Sequence, residues 1–113
     1  MHLQRIHLLA SNHLKAQNHV SRINQSLLRH RVRVSHRVCQ HHTRDGSVIT
    51  YIFEGGSCDA VLDDEKGFEL TRITARDVNL DNGQLPYKLM ERVLRGKRHA
   101  TRIMAMLESE RQK

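Results

Sequence analysis

Apolar and polar positions alternate every second residue through much of Arg31 to Phe53, RVRVSHRVCQHHTRDGSVITYIF, and that period predicts a β-hairpin. Val32, Val34 and Val38 alternate with Arg31, Arg33, Arg37 and His41, giving one apolar and one cationic face. Ser47 to Phe53 is dense in β-branched and aromatic residues, and Asp45-Gly46 supplies the positive φ that a tight turn needs. A two-residue loop pairs Arg44 with Ser47, and a four-residue loop from Thr43 to Gly46 pairs His42 with Ser47. Either way Val34 and Val38 share a side with Ile49, Tyr51 and Phe53. Arg33, Arg37, Cys39 and His41 then lie with Val48, Thr50 and Ile52. Only a three-residue loop exchanges these partners.

Before the hairpin, Leu3, Ile6, Leu9, Ala10, Ala16, Val20, Ile23 and Leu27 follow three- and four-residue steps, predicting helix over about 2–30. Ser11-Asn12 offers a cap for a separate helix over about 12–30, which would leave 2–9 as a short strand or first helix. The opposite face carries Lys15, Asn18, Arg22, Gln25 and Arg29, a polar and cationic stripe. After the hairpin, Glu54-Gly55-Gly56-Ser57 reads as a turn, 58–62 as a strand, Asp63 to Gly67 as an acidic turn and 68–75 as a further strand. Pro86 suits the first turn of a last helix, about 86–110, with Leu89, Met90, Val93, Ala100, Met104 and Leu107 on its apolar side. Gly96 interrupts it at a cost of about 1 kcal/mol relative to Ala, marking a kink or break. The expected fold is a single α+β domain over 1–113: N-terminal helix, four-stranded antiparallel meander (strands about 31–42, 47–54, 58–62 and 68–75) and C-terminal helix, both helices on one face. Val48, Thr50 and Ile52, expected on the other face, suggest a second copy of the chain covering it as a homodimer.

Charge adds a second layer to this picture. The chain carries +7 at neutral pH, divided into basic, acidic and basic blocks. Residues 1–53 hold eight Lys/Arg and one acid, 54–85 hold three Lys/Arg and eight acids, and 86–113 hold eight Lys/Arg and three acids. Segregation of this kind builds a cationic surface attractive to phosphate, unless folding brings the blocks together to neutralise one another. On the last helix Lys88, Arg92, Arg95, His99 and Arg102 recur at steps of four and three, with Lys97 and Arg98 beside them. Arg31, Arg33, Arg37 and His41 line the hairpin. Arginine's planar fork suits phosphates and base edges. Tyr51 and Phe53 fall on the core face, so electrostatic contact is favoured over base stacking on aromatics.

These features lead to an expected function: a small non-enzymatic nucleic-acid-binding accessory or regulatory protein. DNA and RNA are not distinguished, and Lys88, Arg92, Arg95, Arg98, Arg102, Arg31, Arg33 and Arg37 are the candidate contacts. The rival expectation is an inhibitor or adaptor docking on a nucleic-acid-handling enzyme, with Asp59, Asp63, Asp64, Glu65 and Glu69 as a phosphate mimic. A helix-turn-helix with its turn at Leu94 to Lys97 is a poor match, since Arg92 stands where a small residue is expected. His36, Cys39, His41, His42 and Cys58 lack the paired spacing of structural zinc sites, with Cys39 and His41 on one strand face and His36 and His42 on the other, so no metal and no cofactor is expected. Cys39 and Cys58 are expected reduced, although flanking strands leave a disulfide geometrically allowed. Catalytic motifs are missing, and Asp63-Asp64-Glu65 beside His41 or His42 is the weak remaining basis for hydrolysis. The start, MHLQRIHLLAS, lacks the pattern of a signal peptide, and no apolar run approaches the roughly 18 residues that span a bilayer; a cytoplasmic protein without a membrane partner is expected.

Overall fold

The chain folds in the order helix, four-stranded antiparallel meander, helix, an α+β arrangement seen in a computed structural model that describes residues 13–44, 46–67 and 69–97. Helix α1 (His13–Leu27) runs into a 3-10 turn (Leu28–His30). Strands β1 (Cys39–Thr43), β2 (Gly46–Phe53), β3 (Gly56–Asp63) and β4 (Glu69–Arg76) lie side by side in chain order, and α2 (Gln84–Lys97) follows. The expected helical stretch 2–12 and residues 98–110 fall outside the described residues. None of the described helices is long and apolar enough to cross a membrane.

The hairpin takes the register that pairs His42 with Ser47, and Cys39 then faces Thr50. Two-residue periodicity sorts the sheet into faces. Ile49, Tyr51, Phe53, Cys58, Ala60, Leu62 and Ile73 point toward the helices and form one buried cluster with Val20, Ile23, Leu27, Val34, Leu89, Met90 and Leu94. Both helices therefore pack on the same face. Tyr51 is the largest fully buried side chain, and its hydroxyl meets His19 Nε2 on α1 at 2.7 Å, tying the helix to the central strand. A polar pair within an apolar layer is tolerated because each partner satisfies the other.

The first strand is shorter than its alternation predicts. Arg31 adopts a left-handed conformation (φ 58°) and its N–H donates to the Leu28 carbonyl, which ends the helix. Val34 then makes an isolated bridge with Phe53, and the Ser35 N–H donates to the Ile52 carbonyl at 2.7 Å. At that point the Ser35 hydroxyl accepts from the Arg37 N–H at 3.1 Å, a local bond that diverts the backbone from the ladder. Pairing resumes only at Cys39. Between the Val34–Phe53 bridge and the Cys39–Thr50 pair, the edge gains two residues relative to β2, so side-chain parity survives the interruption. A second irregularity lies between Val61 and Leu62 of β3, which pair with Arg72 and Leu70, leaving Thr71 as the extra residue.

At the end of the sheet where β2 turns into β3, glycine permits close approach of the β4–α2 connection. The Asn79 N–H donates to the Gly55 carbonyl at 2.7 Å, and the Gly83 N–H donates to the Asn79 carbonyl at the same distance. A Cβ on Gly83 would run into the Gly55 carbonyl and stand 2.9 Å from the Asn79 backbone. The α2 N-terminus is thereby anchored at the end of the sheet where Val34, tied to Asn24 near the α1 C-terminus, bridges to Phe53. Helix α2 continues through Gly96 to Lys97, which excludes the turn that a helix-turn-helix would place at Leu94 to Lys97.

Candidate functional site

The cations of the two helices sit on one side of the molecule, whereas Arg72 and Arg76 of β4 lie on the opposite face of the sheet. The buried Leu89, Met90 and Leu94 fix the orientation of α2, so Lys88, Arg92 and Arg95 face outward and are exposed. The same logic on α1, with Val20, Ile23 and Leu27 inward, exposes Asn18, Arg22, Gln25 and Ser26, with Arg29 following in the 3-10 turn. Glu91 pairs with Arg95 at 3.6 Å, an exposed i,i+4 contact of modest value. It is the one carboxylate carried by either described helix, since residues 13–44 contain no acid. Among the described residues, Arg22, Arg31, Arg33, Arg37, Lys88 and Arg92 have no carboxylate within ion-pair distance. Arg98 and Arg102 lie outside the described residues.

Arg31 and Arg33 do not lie on a ribbon face. Because the strand begins at Cys39, they flank a groove of about 440 Å³ between α1 and the segment that follows it. Ser21, Asn24, Gln25 and Leu28 line it from the helical side, and Arg31, Val32, Arg33 and His36 from the other. Asn24 holds the two walls together. Its Nδ2 donates to the Val34 carbonyl at 3.0 Å, and its Oδ1 accepts from the Val34 N–H at 2.7 Å. The side-chain amide thus stands in for a neighbouring strand along this edge. Ser21 Oγ lies 3.2 Å from His36 Nε2 and orients the imidazole at the rim. Leu28 is 74% exposed there, while its neighbour Leu27 is buried. Arg37 is exposed beyond the bend.

The acidic residues separate into two places. Asp59 lies on the sheet face away from the helices, where it accepts from Thr50 Oγ1 at 2.7 Å and pairs with Arg76 at 3.7 Å. Asp63 caps the 3-10 turn Asp64–Lys66 by accepting from the Glu65 N–H at 3.0 Å, and Glu65 and Glu69 are exposed nearby. That turn adjoins the Ser47 end of β2, whereas the groove adjoins its Phe53 end. Six residue steps of an antiparallel strand separate the two by about 20 Å.

The same outer sheet face carries Cys39 and His41, while Cys58 points into the core and His36 belongs to the groove. Cys39 and Cys58 therefore lie on opposite faces, and both are free thiols. Burial, reinforced by the nearby Asp59 and Glu91 carboxylates, pushes the Cys58 thiol up to about 12. Desolvation likewise raises Tyr51, its cross-strand neighbour, well above the ordinary phenol range, with Cys58 adding to the effect. Val48 and Thr50, expected to be exposed, are only 5% and 7% exposed, as is Val61 at 5%; Ile52 alone of the expected trio is open, at 39%. Burial of Val48 and Thr50 is achieved within one chain.

Arg22, Arg29 and the groove residues Ser21, Asn24, Gln25 and Leu28 were not separable from an ordinary solvated stripe by periodicity. The legible trace was compositional: thirty-two residues, 13–44, without a single carboxylate. No protein-family model, curated protein or solved structure matches this chain.

Proposed function

We propose that this protein is a non-enzymatic nucleic-acid-binding accessory or regulatory protein, holding phosphates with Lys88, Arg92 and Arg95 on α2 and with Arg31, Arg33 and Arg37 beside α1. The observation that carries this reading is the one-sided helical layer. Both helices pack on one sheet face, so their outward cations point the same way, with Glu91 as the sole acid on either described helix. Arg22 and Arg29 extend the same surface. A surface of this sign, with the acidic turn roughly 20 Å from the groove along β2, steers a polyanion toward the helices.

The test is a titration of the protein into labelled duplex DNA, single-stranded DNA and structured RNA at about 50 and 200 mM salt, where several phosphate contacts lose most of their affinity. Binding that falls steeply with salt and is abolished by joint Lys88→Glu, Arg92→Glu and Arg95→Glu substitution supports the reading. The absence of binding at low salt refutes it. Affinity capture that depends on Asp63, Glu65 and Glu69 would then favour a protein-binding inhibitor or adaptor.

A further inference from the structure

We infer that the groove between α1 and Arg31–His36 seats one unstacked nucleotide of a single-stranded nucleic acid, its phosphate on Arg31 and Arg33 and its base over Leu28 and Val32. This deepens the nucleic-acid reading and rests on it. A volume of about 440 Å³ is enough for one nucleotide and lies within the range of small-ligand sites. The lining is of two kinds. Leu28 and Val32 offer aliphatic surface, and Leu28 is 74% exposed on a strongly polar face, where it contributes nothing to the core. Arg31, Arg33 and His36 surround that surface with positive or titratable groups, and Ser21 and Gln25 add hydrogen-bonding side chains.

A duplex shows a protein surface mainly phosphate and sugar, for which cations alone suffice. A nucleotide freed from its stack shows an apolar face, polar edges and one phosphate, which matches this lining. Guanidinium planes stack on bases, and every basic residue from Arg22 to Arg44 other than histidine is arginine. Residues 13–44 contribute no carboxylate of their own, and among the described residues neither Arg31 nor Arg33 has a carboxylate within ion-pair distance, Glu54 across from Arg33 included. The site is also held open before any ligand arrives. Asn24 fixes the Val34 backbone to the helix, Ser21 positions His36, and the left-handed Arg31 sets where the wall leaves α1. Such preorganisation reduces the ordering cost of binding.

The experiment uses the full chain with a labelled 12-nucleotide single strand and with the same sequence in a duplex. Leu28→Asn and Arg33→Gln, both at exposed positions, are compared with the Lys88/Arg92/Arg95 reversal, and circular dichroism confirms each fold. Wild type is expected to prefer the single strand. Leu28→Asn should weaken single-strand binding roughly tenfold, the scale of one lost base contact, and leave duplex binding unchanged. Arg33→Gln should act in the same direction, whereas the α2 reversal should weaken both polymers. Nucleic-acid binding that prefers the duplex, or that responds to neither groove substitution, overturns the groove assignment and leaves the general reading standing. No binding to either polymer at low salt overturns both. In that case, Leu28-dependent capture of a poly-glutamate probe would reassign the groove to an acidic peptide.

Discussion

Asn24→Ala is the most informative single perturbation, because one side chain supports both the edge of the sheet and the groove. The substitution removes two hydrogen bonds, Nδ2 to the Val34 carbonyl at 3.0 Å and the Val34 N–H to Oδ1 at 2.7 Å. Val34 is fully buried, so its peptide groups are poorly placed to find water, and a buried polar group without a partner costs about 1–3 kcal/mol. Asn24 itself is half-buried, which selects the lower part of that range for each group. Two groups together come to about 2–3 kcal/mol. Against this, Ala is a better helix former than Asn by about 0.6 kcal/mol. The net expectation is a loss of about 2 kcal/mol, read from urea unfolding as a shifted midpoint with an unchanged slope. Gln25→Ala, one residue along on the exposed face, should stay within about 0.5 kcal/mol of wild type. An Asn24→Ala variant as stable as Gln25→Ala would refute the argument that this amide substitutes for a neighbouring strand. Single-strand affinity should fall with the stability loss even under conditions where the variant remains folded, since the Val32–His36 wall loses its tie to α1.

Further expectations concern the core, the thiols and two glycines. Tyr51→Phe breaks the 2.7 Å contact with His19 in the interior and should cost about 1–3 kcal/mol in the same unfolding assay; a neutral result would mean that the contact contributes no net stability. The Cys58 thiol is protonated in the folded state up to about pH 12, whereas in the unfolded chain it ionises near 9. As pH rises above 9 the unfolded state therefore loses its proton first, and stability should fall by up to about 1.4 kcal/mol per unit from this group. The Cys58→Ala variant should show a shallower alkaline decline, with the residual slope including Tyr51, whose raised value acts in the same sense. A neutral alkylating reagent should modify Cys39 and spare Cys58 until the protein unfolds, which peptide mass spectrometry would resolve. Gly83→Ala should destabilise by more than 1 kcal/mol because the new Cβ meets the Gly55 carbonyl, while Gly96→Ala, with open space around it, should stabilise by up to about 1 kcal/mol in the helix.

The outward cations of α2 were legible because helical period and charge period coincide: Lys88, Arg92 and Arg95 share a face opposite Leu89, Met90 and Leu94 whatever that helix packs against. The location of Arg31 and Arg33 was not legible. Alternation of valine and arginine from 31 to 38 satisfies a strand pattern, yet a strand also needs partners for its backbone. Here the Ser35 hydroxyl takes the Arg37 N–H and diverts the chain from the ladder, while the Asn24 amide satisfies the outward-facing Val34 peptide groups in place of a further strand. Exposure of Val48 and Thr50 was misjudged for a related reason, since parity assigns a face and says nothing of how well that face is shielded.

Sequence by itself determined the order of elements, the meander, which side chains share each face and the basic, acidic, basic division of charge. All of these follow from local periods and turn chemistry within a few residues. Tertiary structure decided what long-range contacts alone can settle. The edge strand breaks after a single bridge, and the arginines meant for a ribbon instead border a groove against α1. The reason is that each outcome depends on groups ten or more positions apart, such as Asn24 with Val34 or His19 with Tyr51, whose pairing leaves no period in the chain.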